Sequence, residues 1–252
     1  MTTGSARDGS PLPPNVAAKA DRLLLALDTS GPTARVALTN QQGQVRHGDE
    51  RTSLRHSATL LPLVHDLVAR AGIRVEDLGG IACGSGPGSF TGLRVGLAVA
   101  KGLALAFDLP LVLVPSLTAL ALDLAAAPGG DLLVPCIDAG KGEVYAQLWR
   151  RDRGAPVPLG AEFRVDPDTL VGLVRAAGAA PRVAGTGADR HAAALSAQLG
   201  AAGVVTGFPG PSAAAIAQLG APRLGRGEHD DLDTAVPAYG RAPDITQPKR
   251  PG

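Results

Sequence analysis

The sequence of 252 residues predicts an α/β protein of two lobes built on mixed sheets. Three observations lead there. Three short strand-like runs near the start give way to alternating helix and strand, the order of a mixed sheet with helices on its faces. The opening pair of runs recurs about 110 residues downstream, and such repeats are sought before motifs. A glycine-rich turn, Gly84-Ser85-Gly86-Pro87-Gly88-Ser89, joins a short buried run directly to a long apolar helix.

Each element has a local cause. Arg22–Asp28 carries five successive apolar residues and reads as a buried strand. Thr29-Ser30-Gly31-Pro32 turns the chain into a second strand, Ala34–Thr39, and Gln41-Gln42-Gly43 turns it again into a more polar one near Gln44–Arg51. Ser53 or Ser57 starts a helix to about Ala71, which Pro62 must either kink or bound. A strand at Gly79–Cys83, a helix at Thr91–Phe107 and a strand at Leu111–Val114 close a first lobe, 22–115.

The second lobe, 116–209, opens with a helix capped by Ser116 and running to about Ala127. Its hairpin echoes the first: Leu133–Asp138, the turn Ala139-Gly140-Lys141-Gly142, then Val144–Trp149, with Asp138 closing its strand as Asp28 does. Helices near Pro167–Ala177 and Asp189–Leu199 flank a strand at Arg182–Gly185. A last helix, Ser212–Leu219 within 210–224, precedes an acidic loop at Glu228–Asp233; 210–224 and 225–241 are expected to pack back on the first lobe. Residues 1–21, polar and rich in Pro, Gly and Ser, read as a disordered leader without a signal-peptide core, and 242–252 as a frayed tail.

Bulk properties exclude several functions. A net charge of +1 gives no global electrostatic case for nucleic acid or membrane, and 3% aromatics leave little to stack bases on. Arg94 and Lys101 interrupt the best candidate for a membrane span. Cys83 and Cys136 form no CxxC and read as reduced thiols packed in strands, as in a cytoplasmic protein. His56 and His65, nine residues apart on one helix, fall on opposite faces, and no HExxH or HxxxH occurs, so no metal ligands are assigned.

The glycine turn at Gly84–Ser89 has two readings. Backbone amides at a helix start can cradle a phosphate. The favoured reading is tighter packing, because no Walker lysine follows and Thr91 stands where GxGxxG needs a glycine. Asp28 and Asp138 could hold magnesium as paired acids do in two-lobed ATPases; capping their own turns is preferred. Ser85 and Ser89 lack a neighbouring histidine or a GxSxG elbow, and Lys141 and Glu143 read as a solvated turn. No catalytic residues are assigned.

What stands out instead is surplus apolar surface. The Thr91–Phe107 helix is apolar almost all round, with Gly92, Gly96, Ala100 and Ala104 leaving one face nearly bare backbone, where another helix could approach closely. On the preceding helix, the apolar side chains from Leu60 to Ala71 cover an arc of roughly 160°, wider than one sheet contact needs. Two such helices predict a protein–protein contact, and four turns of each can supply roughly 800 Å² per partner. The expected contact residues are Leu60, Val64, Leu67 and Val68 with Leu93, Gly96, Leu97, Ala100 and Ala104.

Six stretches together resemble one family: Leu24–Leu38, His56–Leu63, Cys83–Gly102 (CGSGPGSFTGLRVGLAVAKG), Val114–Ala119, Pro135–Tyr145 and Val236–Pro243. The resemblance is to TsaB, the dimerization subunit of the bacterial tRNA threonylcarbamoyladenosine synthase. The related catalytic subunit, TsaD, carries paired metal-binding histidines that this chain lacks at the equivalent helix. The resemblance implies an actin-like (actin, sugar kinase, Hsp70) fold with a reduced second lobe. It also implies a non-catalytic role, pairing with a TsaD-type subunit through the two first-lobe helices. A TsaE-type ATPase joins the complex, and tRNA is engaged only through it. An adenine nucleotide with magnesium near the subunit contact would have the loop Gly84, Ser85, Gly86, Pro87, Gly88, Ser89 as a neighbour. The alternatives are an ATP-dependent transferase or metallopeptidase-like enzyme of the same fold, and a homodimeric binding protein.

Overall fold

The computed structural model describes residues 22–52, 56–152 and 156–238. The expected leader (1–21) and tail (242–252) lie outside them. The opening strands are β1 (Leu24–Asp28), β2 (Thr33–Thr39) and β3 (Val45–Thr52). Helix α1 (His56–Arg70) runs through Pro62 as one element and leads to β4 (Gly80–Gly86). Then come α2 (Phe90–Phe107), β5 (Leu111–Pro115) and α3 (Ser116–Ala126). Sheet one has the order β3-β2-β1-β4-β5. β1 is antiparallel to β2 and parallel to β4, and β4 is parallel to β5.

The same plan is then built a second time. β6 (Leu132–Gly140), β7 (Glu143–Ala146) and β10 (Phe163–Val165) form an antiparallel meander, interrupted by a short ribbon, β8 (Trp149–Arg150) with β9 (Val157–Pro158). Helix α4 (Pro167–Ala176) follows, capped by Asp166, then β11 (Pro181–Ala184). Helices α5 (Thr186–Arg190) and α6 (Ala192–Leu199), strand β12 (Val204–Val205) and helix α7 (Ala213–Gly225) complete it. Sheet two has the main path β10-β7-β6-β11-β12, with β6 parallel to β11 and β11 parallel to β12. Strand for strand it repeats sheet one in order and direction, with every strand but β6 shorter than its counterpart. The duplication therefore extends well past the two hairpins visible in the sequence.

The helices that close the two copies are exchanged. α7, from the second copy, lies on sheet one, where Ala213, Ala215, Ile216 and Ala217 pack on Ala26, Ala37, Ala82 and Val112. α3, from the first, lies on sheet two with Ala121 and Leu124 against Leu133, Trp149 and Ala184. The crossing is tied where Ser212 donates from its amide and its hydroxyl to Asp123, each at 2.7 Å. The outer face of sheet one is covered by α1 and α2, which put Leu60, Leu63, Leu67, Ala100 and Ala104 onto Leu25, Leu27, Val36 and Ile81. β1 buries both of its faces, which is why Leu24–Leu27 are continuously apolar before the closing Asp28.

Several element boundaries differ from expectation. β4 runs on to Gly86, so the first half of the expected glycine turn is strand, and the strand expected over Val144–Trp149 splits into β7 and β8. α7 continues through Gly220 and Pro222 to Gly225. Gly220 is a contact point, not a stop: a β-carbon there would sit 2.6 Å from that of Ala82, so the glycine lets the helix lie close on the sheet. The helix expected over 189–199 breaks at His191 into α5 and α6.

Candidate functional site

The nine residues expected to meet a partner are instead part of this chain's own core. Leu60, Val64, Leu67, Val68, Leu93, Leu97, Ala100 and Ala104 are at most 6% exposed, and Gly96 is buried. The small-residue stripe has a specific neighbour in the β1–β2 turn. A β-carbon on Gly96 would run into Thr29 Oγ1, and one on Gly92 into the Thr29 carbonyl. The Thr29 hydroxyl donates to the Gly92 carbonyl at 2.8 Å. The stripe thus admits a turn of sheet one beneath the helix. Sequence periodicity identified a close approach but not what approaches.

The helices' outward face is a different set. Leu61 on α1 is 51% exposed and Leu105 on α2 is 79% exposed, with Phe90 and Phe107 also outside. Ala98, Gly102 and Ala106 on α2 are exposed as well, and Val95 and Val99 are half-buried. A β-carbon on Gly102 would meet nothing within 4 Å. Arg94 lies over the Phe90 ring at 3.8 Å, and together with Lys101 it supplies the only charges within α2. By length and composition alone α2 could cross a membrane, Arg94 and Lys101 notwithstanding. Its inner side is packed on sheet one all the same.

The Gly84–Ser89 loop is packed by protein groups. Gly84 leaves room for the Asp28 carboxylate, Gly86 for Leu93 and the Ala238 carbonyl, and Gly88 for Ser30. The Gly86 amide donates to Ser116 Oγ at 3.1 Å and the Ser89 amide to the Ser30 carbonyl at 2.7 Å. Ala238 donates its amide to the Ser85 carbonyl at 2.8 Å, and Pro87 is buried. Ser89 caps α2 by accepting from the Gly92 amide. The glycines of this turn thus make room for protein groups, and the Gly86 and Ser89 amides already donate within the chain.

Both strand-ending aspartates cap their own turns. Asp28 Oδ1 accepts from the Ser30 amide at 2.9 Å and its hydroxyl at 2.7 Å, while Oδ2 accepts from Ser116 Oγ at 3.2 Å. Asp138 accepts from the Gly140 amide at 3.0 Å and pairs with Arg190 at 2.7 Å. Burial pushes the Asp28 carboxyl above the usual carboxylate range, only partly offset by those hydroxyl and amide donors and by Arg35. Cys83 and Cys136 are free and buried; burial pushes the Cys136 thiol up to about 12. Lys141 lies exposed in the β6–β7 turn, whereas Glu143 is the first residue of β7, half-buried, and pairs with Arg164 at 3.3 Å. Among the described residues no group of three or more His, Cys, Asp or Glu could hold a metal ion.

Sequence reasoning missed Arg151. Its guanidinium fans across the carbonyls of Leu124 and Ala125 in the last turn of α3 and of Ala127, Gly129 and Gly130 just beyond it. A lone arginine between short strands carries no local signal of such a role.

Two βββαβαβα units joined by exchanged helices define an actin-like fold with a reduced second lobe. A family model described as TsaD, tRNA N6-adenosine threonylcarbamoyltransferase, matches residues 48–154. The tRNA threonylcarbamoyladenosine biosynthesis protein TsaB of Escherichia coli is 38% identical over 129 residues, covering 51% of this chain and 55% of that protein. The chain thus spans about half the length of the curated relatives it matches. Two solved Pseudomonas aeruginosa structures are each 30% identical. One is described as an uncharacterized protein with similarity to peptidase YEAZ (TM-score 0.72, 87% of this chain and 100% of that one). The other is YeaZ (TM-score 0.69, 86% and 99%). The chain belongs to the TsaB (YeaZ) family.

Proposed function

We propose that this chain is a non-catalytic partner subunit that binds and activates a TsaD-type catalytic subunit. The reaction served is threonylcarbamoyl transfer to the adenosine next to the anticodon of tRNA, in the cytoplasm. A TsaE-type ATPase and the tRNA engage the assembled complex, and an adenine nucleotide with magnesium lodges at the partner interface. The single observation that carries this reading is the outward face of α1 and α2, with Leu61 and Leu105 exposed beside Ala98 and Gly102. Exposed leucines flanking a flat stripe let a facing helix approach closely and bury apolar area on both sides. Because the TsaD-type family model aligns with residues 48–154, which contain both helices, the facing surface is taken to be the corresponding helix pair of the catalytic subunit.

The test is coexpression with a TsaD-type protein followed by size-exclusion chromatography. Wild type is expected to coelute with the partner, and L105D to elute alone while melting at the wild-type temperature. Wild-type chain that elutes as a dimer which the partner does not dissociate would assign the face to a second copy instead.

A further inference from the structure

We infer that the extended segment Ala235–Ala238 forms one wall of the partner-binding face, and that Val236 contacts the catalytic subunit directly. This rests on the partner reading above. The segment leaves α7 and is fastened along β5, where the Asp230 amide donates to the Leu111 carbonyl at 2.8 Å and Asp230 Oδ2 accepts from the Leu113 amide at 2.6 Å. Arg223 braces that corner, donating to the Leu113 carbonyl at 2.8 Å and pairing with Asp230 at 3.3 Å. From there the chain reaches α2. Lys101 Nζ donates to the Ala235 carbonyl at 3.1 Å, and the Ala238 amide donates to the Ser85 carbonyl at the start of the turn that launches the helix.

Between those two ties the side chains alternate. Ala235 and Pro237 are buried, while Val236 is 64% exposed. A valine held outward between two fixed points needs little further ordering when a partner covers it, which lowers the cost of association. The place of attachment sets which face it borders. At 100° per residue, Arg94, Ala98, Gly102 and Leu105 all lie within about 100° of Lys101 around α2. The segment is thereby continuous with the exposed stripe that the partner reading invokes. Its occupant is the same one, the apolar helix pair of the TsaD-type subunit, because a single approaching helix on that stripe meets Val236 at its edge.

The experiment measures, by titration calorimetry, the affinity of the purified full-length chain for the purified TsaD-type subunit, with thermal melting of each free variant. V236D is expected to weaken binding about tenfold or more, as a charge placed at a packed contact does, with a melting temperature close to wild type. V236I should restore wild-type affinity. L105D, run in parallel, tests the underlying reading. If L105D abolishes binding and V236D binds within twofold of wild type, the segment is no part of the interface and the inference is overturned while the partner reading stands. If L105D binds as wild type does, both are overturned.

Discussion

Gly96 of α2 rests on Thr29 at the end of β1, with no space for a β-carbon between the helix and Thr29 Oγ1. Six residues further on, about one and two-thirds turns, Gly102 has open space on its outward side. The two glycines of one helix therefore do different things. G96A should destabilise the chain by about 1–3 kcal/mol, as overpacking does. G102A should leave it unchanged or stabilise it by up to about 1 kcal/mol, the usual gain for alanine in a helix interior. Urea unfolding of both variants checks this, and equal midpoints would contradict it. The same contrast separates folding from binding. G96L would fail by misfolding, whereas G102L should fold and lose the partner.

Asp28 predicts a pH dependence of definite sign. Its folded-state pKa is raised above the ordinary 3.8, so the folded protein holds this proton more tightly than the unfolded chain does. Its contribution to stability is therefore full below about 3.8 and is lost as pH rises through the raised value. An asparagine keeps the acceptor for Ser30 without the buried charge. The stability of D28N relative to wild type should be greater at pH 7 than at pH 4.5 in chemical unfolding, and a gap independent of pH would contradict it. D28A, which strands the Ser30 amide and two hydroxyls, should cost about 1–3 kcal/mol at either pH.

Arg151 should behave as a structural clamp. R151A leaves the carbonyls of Leu124, Ala125, Ala127, Gly129 and Gly130 without their shared donor, and should cost about 2–3 kcal/mol. R151K should recover less than half of that, since one ammonium cannot fan across five acceptors. Denaturant midpoints of the two variants are the check; full rescue by lysine would show that charge alone matters.

The positions of β1, β2, β4, β5 and α2 were legible in the sequence because apolar runs bounded by Gly, Pro and Asx turns have few other solutions. The twinned carboxylates of Asp28 and Asp138 were legible as turn caps for the same local reason. What was not legible is which side of α2 faces out. Its circumference is apolar nearly all round, and its one charged stripe, Arg94 with Lys101, is too sparse to outweigh the small-residue repeat, although it does lie on the outward side; Gly92 and Gly96 look from sequence like Ala98 and Gly102. Only the fold places the Thr29 turn under the first pair. The exchange of α3 and α7 between sheets was equally hidden, since it depends on contacts between residues nearly ninety positions apart, such as Asp123 with Ser212.

The most direct test of the account is hydrogen–deuterium exchange on the full-length chain with and without a purified TsaD-type subunit. Partner-induced protection concentrated in residues 59–70 and 94–107, with the second-lobe helices α4 and α6 unchanged, is the predicted result. Protection confined to the second lobe, or none at saturating partner, would contradict it.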